Sequence, residues 1–207
     1  MPNTAFLPPD AALSRLAAGN QRFASGTTVM DARTFRAELA DQKQQPFAIV
    51  LGCSDSRMPV ETLFDQGSGD LFVVRVAGNV VAPSIVGSIE FAASQFGTRL
   101  VVVLGHTRCG AIKATMDALL TGDGPASRNI RSITDRIAPH IVAAVHTHEG
   151  EDPVDIERES MRANIRASVD HLRHGSELLE ELVLSRQLVV VGAEYELETG
   201  RVHFWSV

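Results

Sequence analysis

The chain has 207 residues, a length that suits one compact domain with a core of its own and no need of metal or disulfides to hold the fold. Nineteen Lys and Arg against 25 Asp and Glu give a net charge of −6, which excludes the broad basic field of a nucleic-acid binder. No stretch approaches the ~18 apolar residues of a membrane span, and the first residues lack the charged and apolar regions of a secretory leader. A soluble cytoplasmic protein is therefore expected, with its two cysteines, Cys53 and Cys109, kept reduced. One intrachain disulfide is the alternative.

Asp10 is placed to cap a helix that carries Leu13, Leu16, Ala17 and Phe23, with Gly26 just past its end. A second helical stretch covers roughly 31 to 42 and is broken by the polar run ending in Pro46. Residues 47–51 are continuously apolar, as in a strand buried on both faces of a parallel sheet, and 71–74, 100–104 and 188–191 repeat that character. Between the second and third runs, Ser84 is placed to cap a helix through Ile85, Ile89 and Phe96, closed by Gly97, which supplies the crossover that parallel pairing requires. Gly110 to Leu120 reads as helix, as do 125–146, with Pro139 as an interruption, and 155–184, with Gly175 as a break. The last apolar run leads through Glu198-Thr199-Gly200-Arg201 into Val202-His203-Phe204-Trp205, a terminal hairpin. The fold class is α/β: a mostly parallel sheet of about four strands plus a C-terminal edge strand, flanked by helices. The whole chain, 1–207, is one domain with an N-terminal helical arm over about 1–45.

Two of the apolar runs end in unusual residues. The first leads into Cys53-Ser54-Asp55-Ser56-Arg57 and the third into His106-Thr107-Arg108-Cys109. Ligands of open parallel sheets sit outside the carboxyl ends of the strands, so both cysteines and a histidine are expected at one sheet edge. Two thiolates and an imidazole suit Zn²⁺ and leave a fourth tetrahedral position open for water. The competing reading is that each Cys is an inert buried side chain, packed as a small hydrophobe. Asp55 is placed to take a proton from metal-bound water or to fill the fourth position itself, and Arg57 to keep it ionised. Without the neighbouring ligands, the same two residues would read as an ordinary loop ion pair.

Cys53-Ser54-Asp55-Ser56-Arg57 followed by His106-Thr107-Arg108-Cys109-Gly110-Ala111 resembles the β-class carbonic anhydrases of bacteria. Residues 16–23, 72–79 and 191–195 extend the likeness over nearly the whole chain. The resemblance implies one zinc per chain on Cys53, His106 and Cys109, and interconversion of CO₂ and bicarbonate by zinc-bound hydroxide, with Asp55 and Arg57 as the catalytic dyad. It also implies a substrate contact from Gln44, beside Gln42 and Gln45 in a polar loop. The resemblance further implies a closed state, as in some members, with Asp55 as a fourth ligand, and a homodimer or homotetramer with N-terminal helices wrapping the partner. In some members a Trp, Arg and Tyr pocket lets bicarbonate stabilise the closed state. Arg75 and Tyr195 match two of those positions, whereas Val50 stands where the Trp would be. Two thiolates acidify bound water less than three imidazoles would, so activity is expected to rise with pH. Two rivals remain: a carbonyl sulfide or carbon disulfide hydrolase on the same scaffold, and a non-catalytic zinc protein closed by Asp55.

His140, His146, His148, His171 and His174 are expected at the surface. Gly67-Ser68-Gly69 is expected to be a turn, because it lacks the lysine and helix of a phosphate loop.

Overall fold

The computed structural model describes residues 7–30, 44–125, 127–147 and 152–205. The expected helix over 31–42 and His148 lie outside them.

The apolar runs form strands. They are β1 (Ala48–Gly52), β2 (Leu71–Arg75), β3 (Leu100–His106) and β4 (Val189–Glu196), joined by the C-terminal β5 (Arg201–Trp205). The sheet order is β2-β1-β3-β4-β5, parallel throughout except for the antiparallel β4–β5 hairpin. β1 and β3 are central and buried at every position, which is why their sequences run apolar instead of alternating.

Helices flank the sheet: α1 (Pro9–Ala24), α2 (Val60–Leu63), α3 (Pro83–Gln95), α4 (Gly110–Thr121), α5 (Arg128–Thr147), α6 (Pro153–His174) and α7 (Glu177–Leu184). α6 packs on β3 and β4, with α4 and α5 beside it, and α3 packs on β2. α1 is tied to the far edge through buried Asn20. Its Nδ2 donates to Leu63 O and Gly200 O, while its Oδ1 accepts the Val202 N–H.

Several expected details change. Asp10 and Ser84 do not cap their helices: Pro8 and Ala82 hold the cap positions, and a proline at the first helical position sets the start instead. Pro139 does not interrupt α5. It lies on the exposed face, where the Asp135 carbonyl that loses its N–H partner is open to water. Gly175 does end α6, and the Ser176 side chain then caps α7 by accepting the Leu179 N–H. β4 runs five residues past the apolar run, through Gly192, Ala193 and buried Glu194.

Candidate metal centre

The strands β1 and β3 lie side by side and parallel, with Gly52 in register with Leu104, so their carboxyl ends open onto the same edge. Cys53 follows β1, His106 closes β3, and Cys109 stands at the N-terminus of α4. All three are buried, at 5%, 0% and 2% exposure. The two Sγ atoms and a His106 ring nitrogen lie within 4.8 Å of one another. Both cysteines are free thiols, so the disulfide alternative falls.

Histidine tautomery follows from its neighbours. His106 Nδ1 lies 2.9 Å from Thr107 O, and a carbonyl can only accept, so Nδ1 carries the proton. Nε2 is left with a lone pair, buried and without a hydrogen-bond partner. An orphaned buried acceptor costs about 1–3 kcal/mol unless something fills it, and here it belongs to the same cluster as two thiols. A ring whose other N–H is fixed by a backbone carbonyl is the usual setting of a metal-ligating histidine.

The thiols agree with this donor set. Cys53 is held well below the ordinary thiol range, first by a hydrogen bond from Cys109 and then by the Gly78 and Asp55 backbone N–H groups, against the opposing effect of burial. Cys109 is pushed up by that same bond to Cys53 and by burial. The pair by itself carries one thiolate. Ionising both at this depth calls for a cation between them.

Asp55 borders the cluster. Its Oδ2 lies 3.9 Å from His106 Nε2. Arg57 grips it as a fork, Nε to Oδ1 at 2.9 Å and Nη2 to Oδ2 at 2.7 Å, while the Arg57 backbone N–H also donates to Oδ1 at 2.9 Å. That guanidinium holds the Asp55 carboxyl far below the usual carboxylate range, against partial burial. Arg57 also reaches Arg108 O at 3.1 Å, which ties the first ligand turn to the second.

The remaining candidate residues lie around and beyond this cluster. Arg75 donates to Cys53 O at 2.9 Å and to Asp55 O at 2.6 Å, so its guanidinium braces the backbone of the first turn. Tyr195 is buried on β4 opposite His106, with β1 and β3 between its strand and that of Arg75. Val50 is fully buried in mid-β1. Gln44 is exposed and precedes β1, whereas Cys53 follows it. A five-residue strand spans about 17 Å, so Gln44 of one chain stands at the opposite end of the sheet from that chain's own cluster. His140, His146, His171 and His174 are exposed, and Gly67–Gly69 sits in a turn.

A family model for carbonic anhydrase matches residues 48–202. Over 208 residues, covering 100% of this chain and 96% of the relative, the chain is 40% identical to carbonic anhydrase of Mycolicibacterium smegmatis. It belongs to the β-carbonic anhydrase family. Carbonic anhydrase 2 of Mycobacterium tuberculosis is 37% identical over 97% of this chain and 93% of its own. The fold is shared with a tetrameric β-carbonic anhydrase of Sordaria macrospora, at a TM-score of 0.74 and 23% identity over 92% of this chain and 94% of that one. A Coccomyxa β-carbonic anhydrase, solved with acetazolamide, gives 0.71 at 25% identity over 94% and 88%.

Membership in the β-carbonic anhydrase family makes the chain an enzyme of CO₂ chemistry. Two supports of its site escaped the sequence reading. Gly78, in a short 3₁₀ turn (Ala77–Asn79) after β2, donates its N–H to Cys53 Sγ at 3.3 Å. Its φ of +67° and the closeness of Ile137 Cδ1 and Ala111 Cβ, 2.8 and 3.0 Å from where a Cβ would sit, require glycine. Thr107 receives the Leu197 N–H on its hydroxyl at 3.1 Å and donates its own N–H to Tyr195 O at 3.0 Å. A lone Gly and Thr carry no chemical signal in sequence. The Gly-Asn pair after an apolar run was the available hint at the turn.

Proposed function

We propose that this chain catalyses the reversible hydration of CO₂ to bicarbonate and a proton, with one zinc ion held by Cys53, His106 and Cys109. The observation that carries the reading is the unpartnered His106 Nε2, buried against two thiols at the carboxyl ends of adjacent parallel strands. Zinc, when bound, supplies Lewis acidity that brings a water pKa toward neutrality.

The protein's own residues then set the geometry of attack. Asp55 stays ionised because Arg57 occupies both its oxygens, so it acts as a hydrogen-bond acceptor beside the cluster. An acceptor there fixes the orientation of the attacking oxygen and leaves its lone pair toward the carbon of CO₂. Arg75, by holding the Cys53 and Asp55 carbonyls, keeps that carboxylate from drifting. At low pH, Asp55 freed from Arg57 would be placed to serve as a further ligand, its Oδ2 lying 3.9 Å from His106 Nε2. X-ray absorption across the pH range tests for an added carboxylate ligand. An oligomer, as in the tetrameric Sordaria relative, would let Gln44 of one copy serve another's site, and light scattering gives its size. Arg75 and Tyr195 as a bicarbonate site are tested by bicarbonate titration of the Tyr195→Phe variant.

The deciding experiment is zinc analysis with stopped-flow CO₂ hydration on the wild type and Cys53→Ser. We expect a zinc-loaded, active wild type and a zinc-poor, inactive variant. A metal-free, inactive wild type sinks the proposal. Sulfide release from carbonyl sulfide or carbon disulfide, faster than CO₂ hydration, would replace the substrate and leave the metal.

A further inference from the structure

Helix α6 supplies no ligand, yet one stripe of it meets the strand end before His106, the Cys109 backbone and the Gly78 turn that donates to Cys53. Met161 and Ile165 close on Gly105, the residue before His106, where a Cβ would meet Ile165 Cδ1 at 2.5 Å and Met161 Sδ at 3.1 Å. Asn164, 2% exposed, donates through Nδ2 to Gly78 O at 2.9 Å, and Ser168 Oγ donates to Asn79 O at 3.3 Å. One turn before Met161, Glu157 presents its carboxylate to the Cys109 backbone N–H, leaving Oε1 buried without a hydrogen-bond partner. Positions 157, 161, 164 and 168 recur at helical spacing and share one face.

The helix is fixed in place independently of these contacts. Arg158 and Arg162 grip the two oxygens of buried Glu194 on β4, at 2.5 and 2.8 Å. Glu194 lies in register with Gly105, so the clamp sits beside the strand end that bears His106.

We propose that α6 is the outer support of the metal centre and that Asn164 is a positioning residue within it, holding the Gly78 turn so that the Gly78 N–H reaches Cys53 Sγ. Gly78 sits in the left-handed region with its N–H on the thiol and its C=O on Asn164, and of the two α6 side chains that hold this turn, Asn164 at 2.9 Å and Ser168 at 3.3 Å, Asn164 is the one on Gly78 itself. Removing the amide unpins the Gly78 peptide while Ser168 still holds Asn79, and the thiolate loses a well-aimed donor that offsets its charge.

The inference rests on the zinc reading above, and its test separates the two. Zinc dissociation constants are measured by chelator competition for the wild type, Asn164→Leu and the smaller Asn164→Ser, together with the sulfur-to-metal charge-transfer band of the Co²⁺-loaded forms. We expect the zinc constant to weaken about 10- to 100-fold, the usual range for a lost outer support, and the band to shift as the thiolate loses its N–H donor. Folded variants with wild-type zinc affinity and an unshifted band would overturn the proposal, and Asn164→Ser alone decides it if Asn164→Leu does not fold. A wild type that binds no zinc would overturn the metal reading itself.

Discussion

The two turns that build the site are held by different means. The turn after β1 is held by charge near solvent. Arg57, with 52% of its side chain exposed, forks onto Asp55, and Arg75 pins the carbonyls of Cys53 and Asp55. The turn after β3 is held mainly by packing and by hydrogen bonds to the β4–β5 hairpin: His106 and Cys109 are buried, and Thr107 accepts the Leu197 N–H on its hydroxyl and donates its own N–H to Tyr195 O. The contrast suits a division of labour. Metal ligands need fixed positions, which Cys53 has by its own burial even on the charged turn, whereas the groups that handle protons need contact with water.

The largest effect is expected from a change in the packed turn. His106→Ala removes the one imidazole donor, and we expect zinc content and CO₂ hydration both to fall to background. Arg57→Leu attacks the charged turn, and here zinc content should stay at the wild-type level while kcat falls about 100-fold, as for loss of a positioned proton-handling group. Equal loss of zinc in both variants would erase the distinction between the turns. Thr107→Val should weaken zinc binding by about tenfold through its lost hairpin contact, measured by chelator competition.

A pH experiment sharpens the same contrast. Arg57 lowers the folded-state pKa of Asp55, so the stabilisation from this pair is present above the unfolded carboxylate range and is lost only as pH falls through the depressed value. Asp55 therefore stays ionised across the neutral and weakly acid range. Asp55→Asn should lower the plateau of the pH–rate profile and leave the midpoint of its acid limb in place. At the smallest end, Lys113→Ala removes an exposed i,i+4 pair with Asp117 on α4, and no measurable change in Tm or activity is expected.

How much was legible in the sequence follows the same line. The central strands were plain because burial on both faces demands continuous apolar runs, and β1 and β3 have them. The tail of β4 was hidden, since buried Glu194 looks like a surface residue until Arg158 and Arg162, 36 and 32 positions away, are folded against it. α2 is a single turn of four residues, too short for any period to show. The three donors stood out by type and position. The support from Asn164 did not, because 86 residues separate it from Gly78 and an Asn in a polar helix carries no mark of what its amide will meet.

The terminal hairpin has a spectroscopic consequence. The chain contains one Trp and one Tyr, and both lie in it: Trp205 on β5, over Gly192, and Tyr195 on β4, opposite His106. All of the intrinsic near-ultraviolet emission of these two residue types therefore arises in the hairpin whose inner strand pairs with the strand that bears His106. Energy transfer from the phenol to the indole will read whether β5 is zipped onto β4, a native ruler for the order in which the sheet edge and the site assemble.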